Sequence, residues 1–236
     1  MIEHVVPGTV VCRAVYGEAL DDTPLHPEEA PAVARAVAKR RGEYAAGRAC
    51  AREALAALGV PPGPVLRDAE RGAPVWPEGV AGSITHCDGY RAAAVARTTD
   101  ILALGIDAEP HGPLPDGVLK LVGSTAAEAA ALGELGAERP HVHWDRLLFS
   151  AKETVYKAWY PFHRRMLNFD EAEVLFRPDP GHDDRGSYTA RLRVPGPLLA
   201  PGVGPDLFSG RWLVRGSLLV TAIAVPNETP GTTPRA

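Results

Sequence analysis

A chain of 236 residues that is 45% hydrophobic holds enough apolar material for one large domain or two small ones, which excludes disorder throughout. A formal net charge of -4 gives no general attraction for nucleic acid, so any anion binding must rest on local basic clusters. Cys12, Cys50 and Cys87 are far apart and form no CxxC, which excludes a disulfide framework or cysteine metal knuckle; MIEHVVPGTV lacks the basic start and apolar run of a signal peptide, and no run reaches membrane-spanning length, so the expected compartment is the cytoplasm.

In chain order, residues 5–16 supply a short strand and residues 21–27 are polar and broken by proline. Pro27-Glu28-Glu29 opens a helix, with acids at the positive end of its dipole, that runs to Lys39-Arg40-Arg41. A second helix over 43–58 stops at Gly59 and Pro61 and sets Arg48 and Arg52 one turn apart. Periodicity alone leaves those two arginines between a solvated face and a ligand site. Residues 60–77 read as a loop carrying Arg67 and Arg71. Asp88-Gly89 is a hairpin signal between strands at 82–87 and 91–97, and with 101–107 these make a three-stranded antiparallel meander. His86 ends the first of them. A lone histidine more often packs or caps, yet a strand end beside a turn is where a rigid scaffold carries site residues.

Residues 101–110, ILALGIDAEP, read as a strand with Leu102, Leu104 and Ile106 on a buried face. Asp107 and Glu109 are two residues apart, so both carboxylates leave the same face, about 7 Å apart at their bases. Like charges so placed call for a cation or a donor between them. With Glu153 the donor set is all oxygen, which suits Mg²⁺ better than Zn²⁺, and no His or Cys pair has zinc spacing. After a spacer at 111–140, helical over 125–135, residues 144–159 form an amphipathic helix. Leu148, Ala151, Val155, Ala158 and Trp159 make its core stripe, with Arg146, Ser150, Glu153 and Lys157 roughly opposite. The bland reading of Glu153 and Lys157 is an exposed i,i+4 ion pair worth about a few tenths of a kcal/mol. His163, Arg164 and Arg165 follow as either a solvated turn or a surface for an acidic partner. Strands at 173–176, 188–194, 210–214 and 218–225 complete a second sheet, with Gly216-Ser217 as a turn, and the polar tail 226–236 is expected to be disordered.

Gly105-Ile106-Asp107-Ala108-Glu109, followed by Trp144 and then Phe149-Ser150-Ala151-Lys152-Glu153-Thr154-Val155-Tyr156-Lys157, resembles the signature pair of the 4'-phosphopantetheinyl transferases. Ser83-Ile84-Thr85-His86 matches the further motif of the surfactin-synthetase and enterobactin types, and the wording is closest to the actinobacterial branch. The resemblance covers about Arg40 to Ile223. It implies an α+β fold, a pseudo-twofold monomer of two similar halves at 1–103 and 104–225, each an antiparallel sheet packed with helices, with coenzyme A between them. The implied reaction moves 4'-phosphopantetheine from coenzyme A to a serine of an acyl or peptidyl carrier protein, with Mg²⁺, or Mn²⁺ in its place, as cofactor. The implied partners are acidic carriers of polyketide, peptide or fatty-acid synthases, with neither nucleic acid nor membrane.

The same resemblance carries roles onto single residues. Arg40, Arg48 and His86 would bind the coenzyme's phosphates, Thr85 would add a backbone or hydroxyl contact, and Arg71 in Arg71-Gly72-Ala73-Pro74 would take the 3'-phosphate, with Arg67 less fixed. Asp107, Glu109 and Glu153 would hold the metal, with the Ala108 carbonyl near it. Glu153 would take the serine proton, directly or through a metal-bound water, while Lys157 neutralises phosphate charge and Lys152 assists. Leu167-Asn168-Phe169 would close over the pantetheine arm. Two rivals are another Mg²⁺-dependent phosphoryl or nucleotidyl transferase, which no P-loop or kinase glycine loop supports, and a binding module without catalysis, which intact Glu153 and Lys157 oppose.

Overall fold

The strand YRAAAVAR, β3 (Tyr90–Arg97), has small side chains buried on both faces, and that sets the layering of the computed structural model, which describes residues 1–17, 23–61 and 63–227. β3 lies between β1 (Val11–Tyr16) and β2 (Val80–Cys87) in a three-stranded antiparallel sheet, with the Asp88-Gly89 turn closing β2 onto β3 and Gly89 at φ 74°. Ala93 and Val95 face α1 (Ala38–Ala57), whose Cys50, Ala51, Ala54 and Leu55 fill one core. Ala92, Ala94 and Ala96 face the other way, into a core shared with the second sheet.

One helix stands where two were expected. Residues 27–37 give only a 3-10 turn at Ala30–Val33, with Pro31 in it, and the chain is still extended at Val37 before α1 starts. Gly42 does not break α1. A helical glycine costs about 1 kcal/mol against alanine, and burial of the surrounding face of Tyr44, Ala45 and Ala46 outweighs it.

The expected meander is also rearranged. β3 already has a partner on each edge, so β4 (Ile101–Pro110) finds none there and pairs with β8 (Leu218–Pro226), from Ile101 opposite Pro226 to Pro110 opposite Leu218. The second sheet runs β4, β8, β7 (Phe208–Arg215), β6 (Arg185–Leu192), β5 (Ala172–Pro178), all antiparallel. A register shift between Ile101 and Ala103 turns Leu102 toward the core under the central helix, while Leu104 and Ile106 enter the shared core. Ile101 thus already belongs to the second sheet, three residues before the boundary read from the sequence.

Between the sheet's first strand and its last four lie α2 (Val118–Val122), α3 (Ala126–Glu138) and α4 (Trp144–His163). α3 is the helix expected over 125–135, started by a capping box of Thr125 and Glu128; α2 was not anticipated. α4 packs on β4 and β8. Its predicted stripe of Leu148, Ala151, Val155, Ala158 and Trp159 is fully buried, but Ser150 is buried too, bonded to Thr221 at 2.9 Å, and so does not lie on the open side. The two sheets and their helices form the α+β architecture expected, with three strands in one and five in the other. Cys12, Cys50 and Cys87 are free thiols, and no helix among the described residues is long and apolar enough to cross a membrane. The tail from 228 onward lies outside the described residues.

Candidate active site

A side chain at Gly105 would put its Cβ 2.3 Å from the Thr154 carbonyl oxygen and 3.0 Å from the Ala158 nitrogen, so only glycine lets α4 settle this closely on β4. The close approach brings Lys157 over the strand. Its Nζ donates to Asp107 Oδ1 at 2.6 Å and to the Ile106 carbonyl at 3.2 Å. From the other side Thr85 donates to the same Oδ1 at 3.2 Å and accepts the Ala108 N–H at 2.9 Å. With Ser83 accepting the Ile106 N–H at 3.1 Å, two hydroxyls of β2 replace a strand ladder in joining the sheets. The Thr85 hydroxyl is therefore committed inside the protein, which leaves the backbone contact of the two that the resemblance implied. Asp107 Oδ2 is buried and has no partner among the described residues.

Glu109 leaves β4 on the same side as Asp107 and receives Arg146 Nη1 at 2.9 Å. Burial, followed by the neighbouring Asp107 charge, raises its carboxyl above the ordinary 4.5 against the pull of Arg146. Glu153 makes no hydrogen bond or ion pair among the described residues; burial raises its carboxyl, Lys157 opposes that, and Asp107 adds to it. The surface ion pair reading therefore fails, since Lys157 is bonded to Asp107 and not to Glu153.

Among the described residues no three His, Cys, Asp or Glu side chains stand close enough to grip an ion by themselves, and Lys157 and Arg146 already sit on Asp107 and Glu109. What remains is the orphaned Asp107 Oδ2 beside two carboxylates that burial disfavours as anions. Such hard oxygen donors fit an ion like Mg²⁺, which commonly takes one or two carboxylates, keeps waters and accepts substrate phosphate oxygens.

The basic residues fall into different environments. Arg40 Nη1 lies 2.6 Å from His86 Nε2, which makes Nε2 the acceptor and leaves the imidazole proton on Nδ1. Burial and then the Arg40 charge hold His86 below the ordinary 6.5. Arg48 is only 5% exposed, its guanidinium 4.4 Å over the Tyr44 ring and its Nε buried without a partner among the described residues. Arg52 pairs at 2.5 Å with the buried Glu29, which also holds the Val65 N–H, so this helix face is not a solvated one. Arg67 bonds the Gly72 carbonyl at 3.3 Å. Lys152 is buried and bonded on all sides, facing α3 rather than Lys157.

Two clefts meet at α4. A cleft of about 210 Å³ is lined by Arg71, Trp76, Ser83, Tyr156, Lys157 and Tyr160, and Arg71's guanidinium makes no hydrogen bond among the described residues. Another of about 470 Å³ is lined by Leu121, Glu153, Tyr156, Met166, Leu167 and Phe169. Tyr156 lines both, with Glu153 in one and Lys157 in the other. Two participants escaped sequence reading, Tyr156 and Asp68, while Arg146 was placed on the polar side of the helix without its partner Glu109. Asp68 takes the Arg71 and Gly72 N–H groups on Oδ1 and the Tyr160 hydroxyl on Oδ2 at 2.8 Å, fastening the 60–77 loop to α4. Of these two, Tyr156 left a signal, being three residues from Glu153 on a helix.

Two family models match the chain: the 4'-phosphopantetheinyl transferase N-terminal domain over residues 28–96 and the 4'-phosphopantetheinyl transferase superfamily over residues 103–185. Over 95% of its length the chain is 56% identical to the 4'-phosphopantetheinyl transferase Svp of Streptomyces mobaraensis, covering 89% of that protein. Over the same share it is 44% identical to PptT of Mycobacterium tuberculosis and 46% identical to Npt of Nocardia iowensis, both also 4'-phosphopantetheinyl transferases, covering 98% and 99% of them. Likeness on this scale, spanning both sheets and every motif at the seam between them, makes the chain a member of the 4'-phosphopantetheinyl transferase family.

Proposed function

We propose that this enzyme carries 4'-phosphopantetheine from coenzyme A to a serine hydroxyl of an apo carrier protein, with the reacting centre where the two clefts meet at α4. The serine oxygen attacks the phosphorus that bears the pantetheine arm, the bond from that phosphorus to the bridging oxygen breaks, and adenosine 3',5'-bisphosphate leaves. Glu153 is the group that accepts the serine proton. Burial raises its affinity for a proton toward what a general base at neutral pH requires. Lys157, anchored on Asp107 and the Ile106 carbonyl, holds a positive charge at the pyrophosphate. Asp107, Glu109 and Glu153 would hold Mg²⁺, or Mn²⁺ in its place, which when bound neutralises pyrophosphate charge.

Around that centre, Arg71 takes the 3'-phosphate, Arg40 and His86 take phosphate oxygens from the open side, and Arg48, whose buried Nε has no partner among the described residues, adds a further cation. The apolar cleft beside Glu153, with Leu167 and Phe169 on its wall, receives the pantetheine arm. The halves on either side divide near Ile101, where β4 begins, and the working unit in this reading is a monomer. Exposed Leu121 and Met166 with Arg164 and Arg165 at the mouth of this cleft suit an acidic carrier protein of a polyketide, peptide or fatty-acid synthase. Three free thiols suit a reducing compartment such as the cytoplasm.

The observation that carries the reading is the under-partnered acid cluster at the junction of the clefts. Incubating the protein with coenzyme A, Mg²⁺ and an apo carrier protein, then weighing the carrier, tests it. A gain of one phosphopantetheine is expected. An unchanged carrier beside a carrier that a known transferase modifies would overturn it.

A further inference from the structure

We propose that Lys152, with Glu128 behind it, is a positioning residue that builds the wall of the arm cleft, and that it makes no contact with the phosphates of coenzyme A. Lys152 Nζ reaches the Val122 carbonyl at 2.7 Å, the Phe169 carbonyl at 2.8 Å, Ser124 Oγ at 3.0 Å and Glu128 Oε1 at 2.9 Å. An ammonium has three N–H groups, so these acceptors exhaust it. Its side chain is 1% exposed, which leaves no face for a solvent-borne phosphate.

The acceptors are not arbitrary. Val122 follows Leu121, which forms one rim of the 470 Å³ cleft, and Phe169 lies in the 166–172 stretch that forms the other. One cation therefore ties the two rims together from behind. Without it the buried Val122 carbonyl would lose its hydrogen bond, a state folded proteins avoid, and the Phe169 carbonyl would keep only the Ser124 hydroxyl at 3.2 Å. Glu128 fixes the cation in turn. It is 0% exposed, caps α3 through the Ser124 and Thr125 N–H groups at 2.8 and 3.2 Å, and takes the Val174 N–H of β5 at 2.8 Å. Five segments of chain thus meet on a single ion pair, and the width of the cleft is set by it.

This inference rests on the reading of that cleft as the seat of the pantetheine arm. Coenzyme A reaches both clefts, whereas adenosine 3',5'-bisphosphate carries the nucleotide and phosphates without the arm, so the two ligands separate wall from phosphate site. Each is titrated calorimetrically into the parent protein and into Lys152→Met/Glu128→Gln, which removes both charges and strands neither. Lys152→Arg, which keeps Glu128 paired but replaces the compact ammonium with a longer planar fork, is measured beside it as a variant that retains the buried charge pair. The bisphosphate is expected to bind every variant within about twofold of the parent, while coenzyme A weakens by at least about tenfold. Equal loss for both ligands would make Lys152 a phosphate ligand, and no loss for either would make the pair a fold element without influence on the cleft. Either result overturns the proposal. Carrier modification by the parent, assayed in the same preparation, reports separately on the transferase reading.

Discussion

α4 carries two lysines that each meet a buried carboxylate, Lys152 on Glu128 at 2.9 Å and Lys157 on Asp107 at 2.6 Å, yet the two pairs have opposite characters. In the first, both Glu128 oxygens and the ammonium are saturated by protein groups, and neither side chain is open to solvent. In the second, Lys157 is 26% exposed, Asp107 Oδ2 has no partner among the described residues, and two further carboxylates stand close enough for Asp107 to raise their affinity for protons. Burial of an ion pair is common to both. What distinguishes the second, and supports its proposed role, is the hydrogen-bonding capacity it leaves unused among the described residues.

The largest expected effect breaks the second pair. Asp107→Asn keeps the shape and removes the charge, and single-turnover transfer is expected to fall roughly 10³-fold, the upper range for losing one preorganised electrostatic group. Glu128→Gln in the first pair should behave in the reverse manner. It leaves Lys152 buried beside a neutral partner and should lower unfolding free energy by about 3–5 kcal/mol in denaturant titrations, with transfer at saturating coenzyme A within about tenfold of the parent.

The next effect sharpens the claim about unused capacity. Arg71's guanidinium bonds nothing within the described residues, so Arg71→Ala removes only a ligand contact. Coenzyme A binding should weaken by about 1.5–3 kcal/mol, as for a hydrogen bond to a charged group, while dephospho-coenzyme A, already weaker on the parent, should be unaffected. Equal weakening of both would move Arg71 off the 3'-phosphate.

The smallest effect concerns pH. Glu153's carboxyl is raised above 4.5 in the folded protein, so its contribution favours the folded state below the unfolded value and is lost as pH rises through the folded one. Glu153→Gln should therefore melt at a higher temperature than the parent at pH 7 in chelator, and the gain should vanish below pH 4.5. A Tm unchanged or lowered at pH 7 would contradict the assigned direction.

Much of this contrast was legible in the chain. Period 2 put Asp107 and Glu109 on one face of β4, and period 3.6 put Glu153 and Lys157 on one side of α4. The later strands followed from alternation closed by Gly216-Ser217. Long-range pairing was not legible: nothing local in Ile101–Pro110 says that both edges of β3 are taken, so β4 read as the third strand of a meander. Lys152 and Lys157 look alike in sequence, and only the arrival of Glu128 from α3 and Phe169 from beyond α4 separates them. Thr85 read as a ligand-facing residue because its commitment to Asp107 and Ala108 crosses between sheets.

The central claim is that Glu153 is a proton acceptor and not a surface charge, and Glu153→Gln tests it most directly. Coenzyme A affinity by calorimetry should stay within about tenfold of the parent, a difference of about 1.4 kcal/mol. Single-turnover transfer to a carrier protein, followed by mass spectrometry, should drop by at least about a hundredfold. Transfer by Glu153→Gln at the parent rate would contradict the account.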